Sequence, residues 1–311
     1  MKKRGAVLLL LMSALLLAAG LAGCGTTQKQ EKIAYLTHND HAVFGSIIKR
    51  EFDKIAQDHK QPVEYLDAQN DADRQIAQME EVVGQGVKII VLQAVDEEKL
   101  VPAVEQAVSA GVSVIALNRH VRTSKAIGVY PDEYGAGKLQ GNYMERNLPM
   151  GARIVYLQGT SAQLSAQERW EGFKEHCLDK RRDVRLLDRQ DGNYSREEGQ
   201  RIMEEWLKKY SQVDAVVCGN DEMALGALAA LKRAGRSRGC MISGIDATEA
   251  ALSAIADGDM VQTVKQDAAH EAASAYQIVD AIQHGNRHPA DVLCSFVSIT
   301  KDNLAEFRKQ Q

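Results

Sequence analysis

The feature that most constrains this chain is an alternation of short apolar runs with longer amphipathic stretches, which starts at residue 32 and continues to the C-terminus. Apolar runs of this length are typical of strands buried on both faces, and apolar residues recurring every three to four positions are typical of packed helices. With only 5 prolines and 24 glycines, the chain has too few turn residues for a fold of many short strands. The alternation therefore predicts an α/β fold with mostly parallel sheets.

The strand and helix alternation runs through the chain twice. The first pass predicts strands at 32–37, 62–67, 87–92, 112–117 and 126–129 and helices at 44–58, 72–83, 97–110 and 134–146. The second predicts strands at 153–157, 184–187, 213–218, 240–243 and 260–264 and helices at 166–178, 195–210, 222–234 and 247–256. A helix at 268–284, a strand at 291–299 and a helix at 302–308 follow. Because one hydrophobic core rarely grows past about 250 residues, and no low-complexity linker divides the passes, we expect two lobes joined by close crossovers.

The first 24 residues have the layout of an export signal. A basic start of Lys-Lys-Arg precedes an apolar run at 6–19, which is shorter than the about 20 residues of a membrane span. The Leu-Ala-Gly-Cys sequence that ends at Cys24 resembles a bacterial lipobox, which implies cleavage before the cysteine and attachment of lipid to its thiol. We expect a signal peptide at 1–23, a lipidated tether at 24–31 and a position on the extracytoplasmic face of the cell membrane. An uncleaved helical anchor is the alternative.

Charge and motifs exclude two broad classes of function. The net charge of −4 leaves no basic surplus to bind the phosphates of a nucleic acid. Loss of the signal peptide would remove three basic and no acidic side chains, which makes the exported chain more acidic. The sequence contains no G-x-S-x-G, Walker A or H-E-x-x-H motif. We therefore expect neither a nucleic-acid partner nor an enzyme.

The other four cysteines give no indication of a metal site. They are Cys177, Cys218, Cys240 and Cys294. They are widely spaced and form neither a C-x-x-C pair nor a Cys/His cluster at zinc spacing. Cys218 and Cys240 border apolar runs, so we predict that both are buried. A disulfide between some pair is an open alternative in an oxidising compartment.

Polar side chains follow the predicted strands at the points where those strands end. His38 and His41 follow the first strand, with Phe44 nearby, and Asn118 and Arg119 follow the fourth. Further polar groups stand at 158–161, 190–194, 219–221 and 244–246. In open parallel sheets, ligands bind beyond the carboxyl ends of the strands. Because Asn, Asp, Arg and an aromatic ring can bracket a polyhydroxylated ring, we expect a sugar-like ligand.

Three stretches give the chain a resemblance to a known family. They read Asn-Asp-Glu-Met-Ala-Leu-Gly-Ala-Leu at 220–228, Gly-Ile-Asp-Ala at 244–247 and Lys-Asp-Asn-Leu-Ala-Glu-Phe at 301–307. On these motifs, the chain from Lys32 onward resembles the bacterial periplasmic sugar-binding proteins of the ribose and galactose/glucose type. The third stretch is most similar to the galactose/glucose branch.

The resemblance implies the type I periplasmic binding protein fold, with two Rossmann-like lobes joined by a three-crossover hinge. The N-terminal lobe would contain residues 31–130 and 267–293, and the C-terminal lobe residues 131–266 and 295–311. A monosaccharide or similar polyol would bind in the interlobe cleft, close the hinge and pass to an ABC permease in the membrane. The resemblance implies a monomer without enzyme activity, cofactor or metal. A sensory module that serves a chemoreceptor or a histidine kinase is the alternative function.

The family pattern also implies which residues bind the ligand. They are Phe44, Asn118, Arg119, Arg169, Tyr194, Asn220, Asp246 and Gln266. Further possible contacts are His38, His41, Gln163 and Ser165. Gln163 and Ser165 stand where galactose/glucose-binding proteins have His and Asp, and Ala42 stands at a carboxylate position, which argues against galactose or glucose. The acidic calcium loop of that branch is replaced by Asn-Leu-Pro-Met-Gly at 147–151, so we expect no calcium there.

Overall fold

The computed structural model describes residues 31–309, so the predicted signal peptide and the lipidation site at Cys24 lie outside the described residues. The first of two six-stranded sheets has the strand order β11-β5-β4-β3-β1-β2. Its strands are β1 (Ile33–Thr37), β2 (Val63–Asp67), β3 (Ile89–Leu92), β4 (Ser113–Leu117), β5 (Ile127–Pro131) and β11 (Asp291–Cys294). The helices of this lobe are α1 (Val43–Asp58), α2 (Ala72–Gly84), α3 (Val101–Ser109) and α9 (Ala268–Gln283). All strand pairs in this sheet are parallel.

The second sheet has the order β12-β10-β9-β8-β6-β7. Its strands are β6 (Arg153–Gln158), β7 (Arg185–Asp191), β8 (Ala215–Cys218), β9 (Met241–Ile245), β10 (Gln262–Lys265) and β12 (Val297–Thr300). The helices of this lobe are α4 (Glu133–Asn147), α5 (Leu164–Phe173), α6 (Arg196–Lys209), α7 (Asp221–Arg233), α8 (Glu249–Asp257) and α10 (Leu304–Lys309). Only β12 is antiparallel to its neighbour. We call the two groups of elements the N-terminal and C-terminal lobes.

Each sheet is covered by helices on both faces, as the near-continuous apolar strands predict. Along β1, Ile33 and Tyr35 pack in the core that contains α1 and α9, whereas Ala34 and Leu36 pack in the core that contains α2 and α3. This division follows from the two-residue period of a strand. The α/β class with two parallel-sheet lobes is therefore confirmed, while the lobe boundaries expected above stay a prediction.

The chain crosses between the sheets three times: between β5 and α4, between β10 and α9, and between β11 and β12. The last crossing corrects the single strand predicted at 291–299. Asp291–Cys294 pairs with β5 in one sheet, and Val297–Thr300 pairs with β10 in the other. The alternation of apolar residues continues through the crossing because Phe296, which lies in the crossover itself, is also buried.

Two predicted helices differ from the structure by more than two residues at one end. The helix expected at 97–110 begins at Val101, because the carboxylate of Asp96 accepts hydrogen bonds from the backbone N–H groups of Glu98 and Lys99 and forms a turn first. The helix expected at 166–178 is α-helical only to Phe173, and a π-helical turn follows at Lys174–Leu178. Among residues 31–309, no helix is long and apolar enough to cross a bilayer.

The cysteines of the described chain are free thiols. The four are Cys177, Cys218, Cys240 and Cys294, and all are buried. Burial of Cys218 and Cys240 is therefore confirmed. Burial also raises the pKa of both thiols above the ordinary range. These thiols pack as small apolar groups.

Candidate ligand-binding cleft

A cavity of about 500 Å³ opens at the carboxyl ends of the strands and is lined by residues of both lobes. Its N-terminal wall comes from the loops after β1 through β4, and its C-terminal wall from Glu133 of α4 and the segments after β6 through β10. A cavity of this size lies in the range of small-molecule sites. Its position is the one that parallel sheets offer to ligands.

The cavity brings together all eight side chains that the resemblance implies as ligand-binding residues. They are Phe44, Asn118, Arg119, Arg169, Tyr194, Asn220, Asp246 and Gln266. Of the possible contacts, His38, Gln163 and Ser165 also line the cavity. His41 is not among the lining residues. It is exposed, and its backbone N–H is turned toward the Oδ1 atom of Asn39.

Five lining residues have left-handed backbone conformations. The φ angles are 61° at Asn70, 66° at Asn118, 50° at Asn193, 58° at Tyr194 and 122° at Asp246. Residues with a Cβ rarely adopt these angles, and each costs about 1–3 kcal/mol. All five follow strand ends where the chain turns into the cavity, so the fold maintains this strain where polar side chains line the cavity.

Arg169 is buried at the cavity wall and donates three hydrogen bonds to neighbouring groups. Its side chain donates from Nε to Glu133 Oε2 at 2.5 Å, from Nη1 to the carbonyl oxygen of Gly219 at 2.5 Å, and from Nη2 to Gln266 Oε1 at 3.4 Å. Arg169 and Glu133 are only 5% and 3% exposed. Burial alone would lower the pKa of Arg169, but Glu133 foremost, together with Tyr194 and Asp246, outweighs burial and raises the pKa, so the guanidinium stays charged.

Close packing of two helices positions this ion pair. Gly137 of α4 lies against α5, and a Cβ atom at this position would come within 2.0 Å of the backbone oxygen of Arg169. Backbone contact this close requires glycine. It brings Glu133, at the start of α4, beside Arg169.

Asp246 places a carboxyl group in the cavity close to Arg169. No hydrogen bond joins its side chain to another group of residues 31–309. Burial first, and then the neighbouring Asp221, raise the pKa of Asp246 well above its ordinary value, while Arg169 opposes the shift. Asp221 itself accepts hydrogen bonds from Thr248 and Thr263. Asp246 is therefore the acid in this wall whose acceptor oxygens are available to a ligand.

Arg119 and Asn220 have part of their hydrogen-bonding capacity committed to the protein. Arg119 donates from Nε to the Ala94 carbonyl and from Nη2 to the Val95 carbonyl, which leaves its third nitrogen available. Asn220 is the N-cap of α7, where its Oδ1 atom accepts from Met223 N at 2.9 Å. Asn220 thus serves both the helix and the cavity wall.

Each lobe supplies one aromatic ring to the cavity. Phe44 comes from the N-terminal lobe and Tyr194 from the C-terminal lobe. The hydroxyl of Tyr194 lies 3.0 Å from Ser165 Oγ, so the ring is held by a polar contact at its edge. Aromatic faces of this kind pack against the C–H surfaces of carbohydrate-like rings.

Sequence reasoning missed several lining residues, of which Glu97, Glu133 and Glu222 carry charge. They follow the ends of β3, β5 and β8, so the rule that selected Asn118 and Arg119 could have found them. Glu97 also connects the lobes, because its Oε1 atom accepts a hydrogen bond from Leu164 N at the start of α5.

Comparison with protein families and curated relatives agrees with this geometry. Residues 33–287 match the family model described as a periplasmic binding protein domain. The chain is 32% identical over 291 residues to the xylitol-binding protein of Mycolicibacterium smegmatis, an alignment that covers 92% of this chain and 83% of that protein. It is 31% identical over 232 residues to the ribose import binding protein of Escherichia coli, with 73% and 77% covered.

Solved structures show the same architecture. A solute-binding protein of an ABC transporter from Bacillus halodurans, with bound myo-inositol, has a TM-score of 0.84 at 28% identity and covers 91% of this chain and 98% of its own. The Caulobacter myo-inositol binding protein, bound to myo-inositol, has a TM-score of 0.83 at 27% identity, with 89% and 95% covered. These relatives are binding proteins rather than enzymes; the galactose/glucose branch and the lipoprotein form stay predictions. The chain belongs to the periplasmic binding protein family, within the sugar- and polyol-binding solute-binding proteins of ABC transporters.

Proposed function

We propose that this chain is an extracytoplasmic, lipid-anchored substrate-binding protein that binds a monosaccharide or similar polyol between its lobes and delivers it to a membrane permease. The observation that carries the proposal is the cavity between the two lobes, which combines charged hydrogen-bonding groups with an aromatic ring on each side. Myo-inositol, xylitol and ribose, which the names of the relatives mention, are the first candidates.

The charges in the cavity favour a neutral, hydroxyl-rich ligand. Arg169 is paired with Glu133, and Glu222 is paired with Arg196 outside the cavity. The wall also contains Arg119 and Asp246, groups of opposite sign, so a ligand with one net charge would be matched by one of them and opposed by the other. Hydroxyl groups can donate to the Asp246 carboxylate and accept from arginine, so a polyol satisfies both kinds of group.

Contacts across the cavity support binding by hinge closure. The hydrogen bond from Leu164 N to Glu97 Oε1 is 3.0 Å long and joins the C-terminal lobe to the N-terminal lobe. Arg122 lies beside the same carboxylate, with its Nε atom 3.5 Å from Glu97 Oε2. A ligand that contacts both lobes would raise the population of the closed state by its difference in affinity for the two states.

A ligand panel tests this function. We expect myo-inositol, xylitol or D-ribose at 100 times its Kd to stabilise the purified full chain by about 2.7 kcal/mol. Thermal unfolding detects the stabilisation, and isothermal titration calorimetry then gives the Kd. Amino acids and short peptides serve as negative probes. If they raise the Tm while no polyol does, the proposed ligand class is wrong.

The lipid anchor has its own test. Cys24→Ser is expected to move the protein from the membrane fraction to the soluble fraction of a bacterial host, because serine offers no thiol for lipid attachment. Thr26→Ser is the matched control, since it changes the tether and leaves Cys24 in place. Immunoblots of fractionated cells measure the distribution. Persistent membrane association of Cys24→Ser would instead support the uncleaved helical anchor.

A further inference from the structure

A carboxyl group behind the cavity wall has no role in the site described so far. Glu271 of α9 is 0% exposed and does not line the cavity. Its Oε2 atom accepts a hydrogen bond from Asn118 Nδ2 at 3.0 Å, and its Oε1 atom accepts one from Gln266 Nε2 at 2.9 Å. Asn118 and Gln266 both face the cavity. Glu271 therefore accepts hydrogen bonds from two residues of the cavity wall, Asn118 and Gln266, on the side away from the cavity.

The two amides differ in their freedom to turn. Gln266 Oε1 accepts from Arg169 Nη2, and a guanidinium can only donate hydrogen bonds. Turning the Gln266 amide would place its NH₂ group against Arg169, so this amide is fixed. Among residues 31–309, the side chain of Asn118 forms a hydrogen bond with Glu271 alone. Its orientation therefore depends on which atom Glu271 offers to it.

The surroundings of Glu271 allow it to change protonation near neutral pH. The pKa of Glu271 is raised to about 8, and burial is the largest cause. Glu133 also raises the pKa, whereas the hydrogen bonds from Gln266 and Asn118 and the charge of Arg169 lower it. The remaining titratable neighbours are Tyr35 of β1 and Cys294 of β11. Burial raises the pKa of each, so both stay neutral in this range.

We propose that Glu271 is a positioning residue whose proton state decides which atom of Asn118 faces the ligand. With the carboxylate ionised, Asn118 donates its NH₂ hydrogen to Glu271 and presents Oδ1, an acceptor, to the cavity. With Oε2 protonated, the O–H donates to Asn118 Oδ1, and Asn118 presents its NH₂ group instead. The inference rests on the proposed function, because it assumes that a polyol occupies the cavity.

The neighbouring Arg119 determines which protonation state of Glu271 favours polyol binding. Arg119 can only donate, so a ligand hydroxyl that accepts from Arg119 keeps its own hydrogen for a second bond. Asn118 Oδ1 can accept that hydrogen only when Glu271 is ionised. Polyol binding is therefore stronger with ionised Glu271, and binding below pH 8 releases protons.

Calorimetry between pH 6 and pH 9 with myo-inositol, xylitol or D-ribose tests the inference. The wild-type chain is expected to bind about tenfold more tightly at pH 9 than at pH 6, with proton release seen as a difference between buffers of unequal ionisation enthalpy. In Glu271→Gln, the new NH₂ group donates to Asn118 at every pH. We expect this variant to bind about tenfold more weakly than wild type at pH 9 and equally at pH 6.

A compensating substitution separates positioning from a merely structural role. In the double variant Glu271→Gln/Asn118→Asp, the amide at 271 donates to one oxygen at 118 and leaves the other oxygen as an acceptor in the cavity. We expect this variant to regain the affinity that Glu271→Gln loses at pH 9. Equal pH profiles for wild type and Glu271→Gln, or no recovery in the double variant, would overturn the inference.

Thermal unfolding tests whether Glu271→Gln folds. The pKa of Glu271 is raised from 4.5 to about 8, so the folded chain keeps a proton that the unfolded chain releases, and this contribution to stability is lost as the pH rises through 8. Glu271→Gln cannot ionise and should unfold at a higher temperature than wild type at pH 9. A wild-type chain that binds no polyol at any pH would refute the proposed function itself, whereas polyol binding with unchanged pH profiles refutes only the role of Glu271.

Discussion

Replacement of Asp246 by alanine is expected to weaken polyol binding by at least about 100-fold while the protein still folds. The carboxyl group lies in the cavity wall and makes no side-chain hydrogen bond within residues 31–309, so its acceptor oxygens are available to ligand hydroxyls. Removal of the carboxyl group would leave two ligand hydroxyls buried without a partner, at a cost of about 1–3 kcal/mol each, which accounts for a loss of this size. Titration calorimetry measures the change in Kd.

The same substitution should not destabilise the empty protein. Burial and the neighbouring Asp221 raise the pKa of Asp246, so the ionised form is unfavourable in the fold, and its removal relieves that cost. Asp246→Asn is the companion variant, because asparagine has nearly the same shape as aspartate and removes the ionisable group. Asp257→Ala, at an exposed carboxylate at the end of α8, is the control and should bind normally. Retention of wild-type affinity by Asp246→Ala would place the ligand elsewhere.

Much of the fold and many cavity residues could be predicted from the sequence, because strand ends in parallel sheets converge by geometry. Asn118, Arg119 and Asp246 all follow apolar runs, and the structure gathers them in one cavity. Glu271 could not be recognised in this way. It lies in the first turn of α9, where an acidic residue is ordinary because it interacts favourably with the helix dipole. Only tertiary packing shows that it is buried.

The crossover at residues 295–296 illustrates the same limit. Periodicity identifies which residues are buried, but it does not show which sheet buries them. Phe296 continues the apolar pattern across the crossing, with its ring 5.8 Å from the guanidinium carbon of Arg169. The apolar pattern therefore predicted that Phe296 lies in the middle of a strand, although it lies in the crossover next to Arg169.

Breaking the buried ion pair between Arg169 and Glu133 is expected to cost about 3–5 kcal/mol of stability, because removal of one partner leaves the other charge buried without compensation. The two single variants should differ. Burial already raises the pKa of Glu133, so in Arg169→Met this carboxyl can take up a proton and become neutral. Arg169 cannot lose its proton in the same way, so Glu133→Leu is expected to be the less stable of the two. Denaturant unfolding at pH 7 measures both.

The double variant Glu133→Leu/Arg169→Met separates stability from binding. Replacing both charges with apolar groups should restore much of the stability lost in either single variant, since a buried ion pair contributes little beyond an apolar pair of similar volume. Binding should not recover, because Gln266 and the cavity both lose the guanidinium. The exposed pair of Arg201 and Glu205 is the control, and Arg201→Ala should cost less than about 1 kcal/mol. If the losses of the two buried single variants simply add in the double variant, Arg169 and Glu133 do not act as a pair.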